Sequence, residues 1–139
     1  MKCFVDSNVF ISLIQDEFGK GLEFMSYRTQ EYFNRVMRCF HTIFISETII
    51  DEVCKITNIT LSGFMDYINM FRDKIIILQN KKDELMEAEA VNKKYKIGND
   101  DALYYVTARN NNCDCIVTWN KKHFLFAEDE LRIVNPSEL

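Results

Sequence analysis

The chain has 139 residues, of which 47% are hydrophobic and 13% aromatic, with a single Pro and 4 Gly. That composition excludes a disordered or fibrous chain and predicts one folded domain over residues 1–139. Its 17 Lys and Arg against 21 Asp and Glu leave a formal charge of -4, which excludes binding of nucleic acid by bulk positive charge.

Reading along the chain, the first apolar run is Cys3-Phe4-Val5, short and closed by Asp6. An acid at this point would interrupt the apolar region of a signal peptide, and no stretch reaches the roughly 18 to 20 apolar residues of a membrane span. The expected location is the cytoplasm, without a membrane. Leu22, Met25, Tyr32, Val36 and Phe40 follow at helical spacing. A second short run, Ile43-Phe44-Ile45, leads into Ser46, Glu47, Asp51 and Glu52. Leu61, Phe64, Met65, Ile68 and Phe71 mark another amphipathic helix before the run Ile75-Ile76-Ile77-Leu78. Leu85, Ala88, Val91 and Tyr95 then mark a charged helix. Ala102, Leu103 and Val106 mark a further one, which Asn99 or Asp100 is placed to cap. Cys115-Ile116-Val117 and a weaker Arg132-Ile133-Val134 close the series.

Short apolar runs separated by helices read as strands buried on both faces of a parallel sheet. The predicted fold is therefore α/β, a three-layer α/β/α domain with a central, mainly parallel sheet of four to five strands. The five cysteines lack paired CxxC spacing, so they support neither a disulfide framework nor a zinc site and read as free thiols.

In such sheets the functional crevice lies beyond the carboxyl ends of the strands. The residues that fall there are mostly acidic: Asp6 after the first run, Glu47, Asp51 and Glu52 after the second, and Asp100 and Asp101 at the start of a late helix. On a helix opening at Ser46, which suits an N-cap, Ile49, Ile50, Val53 and Ile56 form the buried stripe. Glu52 lies at the edge of that stripe, while Asp51 and Glu47 point away. The same test does not separate Asp100 from Asp101, and acids at a helix N-terminus also serve as caps and dipole partners. Two carboxylates about 4 Å apart repel by about 4 kcal/mol at an effective dielectric of 20. A cluster of them calls for shifted protonation or a bound cation, and oxygen ligands of this kind suit Mg²⁺ or Mn²⁺.

Four segments carry a resemblance. Phe4-Val5-Asp6-Ser7-Asn8-Val9-Phe10, Ser46-Glu47-Thr48-Ile49-Ile50-Asp51-Glu52-Val53, Asn99-Asp100-Asp101-Ala102-Leu103 and Cys113-Asp114-Cys115-Ile116-Val117-Thr118-Trp119-Asn120, the last followed by Lys121-Lys122-His123-Phe124, stand in the order and spacing of a PIN domain. The chain resembles that family over almost its whole length, including the VapC-like toxins of toxin–antitoxin pairs. The resemblance implies a Mg²⁺- or Mn²⁺-dependent endoribonuclease, with Asp6, Glu52 and Asp101 as catalytic metal ligands and Asp100 as a secondary acid. Asn120 stands where the family often has a fourth acid; it keeps an amide oxygen but lowers the site's charge by one. Ser7, Asn8, Thr118 and Lys121 fall where substrate would be held.

The implied partners are RNA, a small antitoxin, and a second copy through the Phe- and Met-rich helices between Gly21 and Arg72. Lys93, Lys94, Lys96, Lys121, Lys122, Arg28, Arg35 and Arg38 are candidates for a basic rim. His123, on an aromatic-flanked turn, reads as structural. A second interpretation, carried by Asn120, is a weakly active or inactive PIN domain that binds RNA or protein. A receiver-type phosphorylation domain also clusters acids after strands, but the lone phospho-acceptor with a later Lys is missing here.

Overall fold

The computed structural model describes residues 1–17, 23–39 and 41–139. Five strands, β1 (Lys2–Val5), β2 (Thr42–Ser46), β3 (Ile75–Leu78), β4 (Cys115–Val117) and β5 (Arg132–Val134), form one sheet in the order β3-β2-β1-β4-β5. Every pairing is parallel, with Cys3 opposite both Ile43 and Cys115. The expected α/β/α architecture is present, with the fifth strand included.

Six α-helices connect the strands: α1 (Ser7–Glu17), α2 (Glu23–Arg38), α3 (Glu47–Thr57), α4 (Leu61–Asn69), α5 (Lys82–Tyr95) and α6 (Asn99–Asn110). Contacts group α1 with α2 and α3, and α3 with α4, whereas α6 packs on α5 and on a 3₁₀ segment, Lys121–Ala127. Right-handed crossovers require this division, because the chain steps from β1 out to β3 in one direction and then returns past β1 to β4. The strand order reverses between β1 and β4, which is where an open α/β sheet leaves a crevice.

The central strands are fully apolar and buried, with Cys3, Phe4, Val5, Ile43, Ile45, Cys115, Ile116 and Val117 at 0% exposure. All five cysteines are free, and Cys3, Cys113 and Cys115 are buried as small apolar residues. Among the described residues no helix is long and apolar enough to cross a membrane.

Several expectations are corrected. β3 lies at the edge of the sheet, and Ile76 and Ile77 are exposed, so its apolar run is not buried on both faces. Ile56 is 48% exposed, and the buried stripe of α3 ends instead at Thr57, one turn after Val53. Leu61, Leu85 and Tyr95 also face outward, since each lies near an end of its helix, beyond the reach of the sheet. Leu22 and Phe40 lie outside the described residues. Neither Asn99 nor Asp100 caps α6. Gly98 holds that place at φ 99°, a left-handed conformation that favours glycine, and nothing crowds its missing side chain.

Candidate metal centre

β1 ends at Val5, and the parallel ladder runs one residue further, with the Asp6 N–H donating to the Val117 carbonyl at 3.0 Å. Asp6 is thereby fixed at the carboxyl end of the sheet, beside the point where β4 ends. Its carboxylate is 4% exposed and collects three side-chain donors. Thr118 Oγ1 donates to Oδ2 at 2.7 Å, Asn8 Nδ2 donates to Oδ2 at 2.9 Å, and Ser7 Oγ donates to Oδ1 at 3.2 Å. Among the described residues no backbone N–H of α1 reaches this carboxylate, so it is not spent as a helix cap. The Asn8 amide also donates to Thr118 Oγ1 and its Oδ1 accepts from the Trp119 N–H, which clamps the end of β4 to the start of α1.

Glu52 arrives from α3. Ser46 accepts from the Ile49 N–H as an N-cap, which sets the phase of that helix. Glu52 is then half-buried while Asp51 and Glu47 are exposed, as the helical period requires. Its Oε2 accepts a 2.5 Å hydrogen bond from the buried Tyr104 hydroxyl on α6. The two helices are themselves joined by Asn80, which accepts from Thr48 on α3 and donates to Thr107 on α6, each at 2.9 Å.

Asp101 lies in the first turn of α6 and is half-buried, whereas Asp100 beside it is exposed. Packing thus separates the two acids that periodicity left equivalent. Asp101 Oδ2 accepts from His123 Nδ1 at 2.8 Å, and His123 in turn meets the Asn120 amide, 2.8 Å from Nε2.

These groups share one crevice of about 410 Å³, lined by Asp6, Ser7, Asn8, Glu52, Asp100, Asp101, Asn120 and His123 together with Ile11, Ile56, Gly98 and Asn99. The sequence-predicted acids Asp6, Glu52, Asp100 and Asp101 and the predicted Asn120 all fall in it. Thr118 does not line it: its side chain is fully buried and given to Asp6. Lys121 does not line it either, and pairs with Glu138 at 3.0 Å. Of the rim candidates, Arg28 pairs with Glu31 and Arg35 donates to the Pro136 carbonyl. Two residues that sequence reasoning did not place in the site, His123 and Tyr104, hold its acids. The signal for His123 was its spacing of three from Asn120, which puts both on one side of a 3₁₀ turn. Tyr104 gave none, because a tyrosine in an apolar helix reads as core.

Among the described residues no Lys or Arg lines the crevice. Burial, helped by the charges of Asp101 and Glu52, raises the Asp6 pKa to about 6 against the pull of the Thr118 and Ser7 bonds. Asp101 is raised too, by burial, with His123 opposing. Burial and the bond to Glu52 push the Tyr104 phenol far above its usual range, so it stays a donor. Negative charge is thus concentrated with His123 as the base that lines the crevice beside it, and the carboxylate oxygens fit a hard divalent cation. Among the described residues no three acidic, His or Cys side chains are gathered round a single point.

No curated protein matches the chain. Among solved structures, it is similar to a chain of a toxin–antitoxin complex from Klebsiella pneumoniae, with a TM-score of 0.66 and 19% identity over 96% of this chain and 97% of that one. It is similar also to Mycobacterium tuberculosis VapC20, described as a sarcin-ricin loop cleaving toxin, with a TM-score of 0.64 and 11% identity over 82% of this chain and 86% of that one. At these identities the likeness concerns the fold. The PIN domain model matches residues 3–128, which takes in all the acids and amides that line the crevice; the chain belongs to the PIN domain family.

Proposed function

We propose that this protein is a Mg²⁺- or Mn²⁺-dependent endoribonuclease that hydrolyses RNA phosphodiester bonds, and that it is the toxin of a toxin–antitoxin pair. The observation that carries the chemistry is the meeting of Asp6, Glu52 and Asp101 in one crevice with no Lys or Arg among the described residues that line it. Family membership and the fold shared with a toxin–antitoxin chain and with VapC20 support the choice of RNA and of an antitoxin partner.

Asp6 and Asp101 are the residues to hold the ion, with Glu52 adjoining. A divalent cation bound there supplies charge neutralisation at the phosphate and eases loss of a proton from water. The chain's own groups do the rest. Thr118, Asn8 and Ser7 fix the direction of the Asp6 carboxylate. Tyr104 occupies one oxygen of Glu52, which leaves Oε1 to accept a proton from the attacking water. No covalent nucleophile is required: Ser46 is an N-cap, and Ser7 donates to Asp6 with no histidine beside it.

The test is incubation with a structured RNA in Mn²⁺, in EDTA, and with Asp6→Asn. We expect cleavage only for the native chain with Mn²⁺, and cleavage that survives EDTA would refute the mechanism. A second reading, a PIN domain that binds without cutting, draws on Asn120 standing in place of an acid and on the His123 ring already paired with Asp101. It predicts RNA retention without cleavage in the same assay.

A further inference from the structure

We infer that His123 is a positioning residue for the metal centre, orienting the Asp101 carboxylate through its Nδ1–H while the Asn120 amide sits against the ring. The inference rests on the reading of Asp6, Glu52 and Asp101 as the ligands, and it adds a role for a residue outside that set.

The local structure explains why the ring is available. The 3₁₀ segment Lys121–Ala127 repeats every three residues, so Phe124 and Ala127 make its buried face. Asn120, as its N-cap, and His123 make the face turned to the crevice, and both line it. Phe124 is fully buried and Ala127 is 2% exposed, which anchors the segment. The His123 side chain itself is 43% exposed, so its place is set by its hydrogen bonds and not by packing.

The bonds define the tautomer. Nδ1 lies 2.8 Å from Asp101 Oδ2, an acceptor only, so Nδ1 carries the proton. The Asn120 amide nitrogen lies against the same ring, 2.8 Å from Nε2 and 3.2 Å from Nδ1. Donation from His123 therefore ends on the Asp101 carboxylate, with the Asn120 amide seated against the ring.

Asp101 needs such a donor. Asp6 has three side-chain donors and Glu52 has Tyr104. Among the described residues His123 is the one side chain that hydrogen-bonds Asp101. Without it the carboxylate would turn freely at the open lip of the crevice. Hydrogen-bond partners of metal ligands typically account for 10- to 100-fold in metal affinity. This chain carries an amide at position 120 where an acid is common in the family, and the amide sits against the ring that holds the remaining acid.

The test is calorimetric titration of Mn²⁺ into the native chain and into His123→Ala, His123→Asn and His123→Gln, with kcat and KM for RNA cleavage measured alongside. An Asn side chain places its N–H near the position of Nδ1, and a Gln side chain places it near that of Nε2. We expect His123→Ala and His123→Gln to weaken Mn²⁺ binding by about 10- to 100-fold, and His123→Asn to restore it to within a few-fold. In saturating Mn²⁺ the cleavage defect of His123→Ala should shrink, with KM for RNA unchanged. Native chain that binds Mn²⁺ while His123→Ala binds it equally well or more tightly would overturn the inference alone. Native chain that takes up no Mn²⁺ would overturn the metal-centre reading and the inference with it. Because the ring is exposed, the variants should fold, which unchanged thermal melts would verify.

Discussion

The wall of the crevice that carries Asp6 and the lip that carries Asp101 hold their carboxylates by different means. Asp6 continues a strand, sits 4% exposed, and is fixed by three donors whose own positions are set by β4 and α1. Asp101 stands on the first turn of a helix, half-exposed, with a single donor from a 3₁₀ segment. The difference teaches that charge is stored at the wall, where desolvation is severe, while the lip holds its carboxylate by one hydrogen bond. A bound cation would relieve the first and add a partner to the second.

The largest test of that contrast is Asp6→Asn in the metal-free protein. The Asp6 pKa is raised from 3.8 to about 6, so the folded state favours the neutral acid. The corresponding stability is complete below pH 3.8 and is lost as pH rises through about 6. A shift of about two units amounts to about 3 kcal/mol. In EDTA, Asp6→Asn should therefore gain on the native chain by up to about 3 kcal/mol between pH 4 and pH 8, roughly 10 °C in melting temperature. A stability difference that stays constant over this range would remove the claim that charge is stored at Asp6. Cleavage should be lost in the same variant.

Thr118→Val probes the wall from its other side. The exchange keeps volume but deletes the hydroxyl that donates to Asp6 from a fully buried site. At pH 8 it should cost about 2 kcal/mol, the range for a hydrogen bond to a charged group, measured by urea unfolding. At pH 4, where Asp6 is neutral, the cost should fall. Tyr104→Phe comes next, at about 1 kcal/mol, since Glu52 is half-exposed and can take water in place of the phenol. If Tyr104→Phe were as costly as Thr118→Val, Glu52 would belong to the buried wall and not between wall and lip.

The wall is also the part that the sequence makes legible. Asp6 directly follows a short apolar run that reads as a strand, and the phase of α3 selects Glu52 once Ser46 is its cap. The lip is less legible, for physical reasons. Asp100 and Asp101 are one residue apart at a helix start, where helical period distinguishes poorly, and only the neighbouring His123 separates them. His123 lies in a seven-residue 3₁₀ segment, whose three-residue repeat is too short to stand out in an apolar pattern. Ile56, Leu61 and Leu85 keep the helical period yet face outward, because a stripe is buried only as far as the sheet beneath it extends. Ile76 and Ile77 show the same at the edge strand.

The smallest effect concerns Lys121, which motif position marks as a substrate contact. Its ammonium pairs with Glu138, 3.0 Å away, and both side chains are more than a third exposed. Asn135 N–H and Lys121 together hold the Glu138 carboxyl below its ordinary range. An exposed pair of this kind contributes under about 1 kcal/mol, so Lys121→Ala should barely change stability. Its effect on cleavage then decides where the lip ends. If Lys121 stays with Glu138, KM for RNA should be unchanged in Lys121→Ala and independent of Glu138→Gln. If RNA draws the lysine away, KM should rise in Lys121→Ala and fall in Glu138→Gln, because the carboxylate then competes with phosphate for one ammonium. The second outcome would extend the lip of the crevice past His123 to the C-terminal turn, and the first would confine it to Asp101, Asn120 and His123.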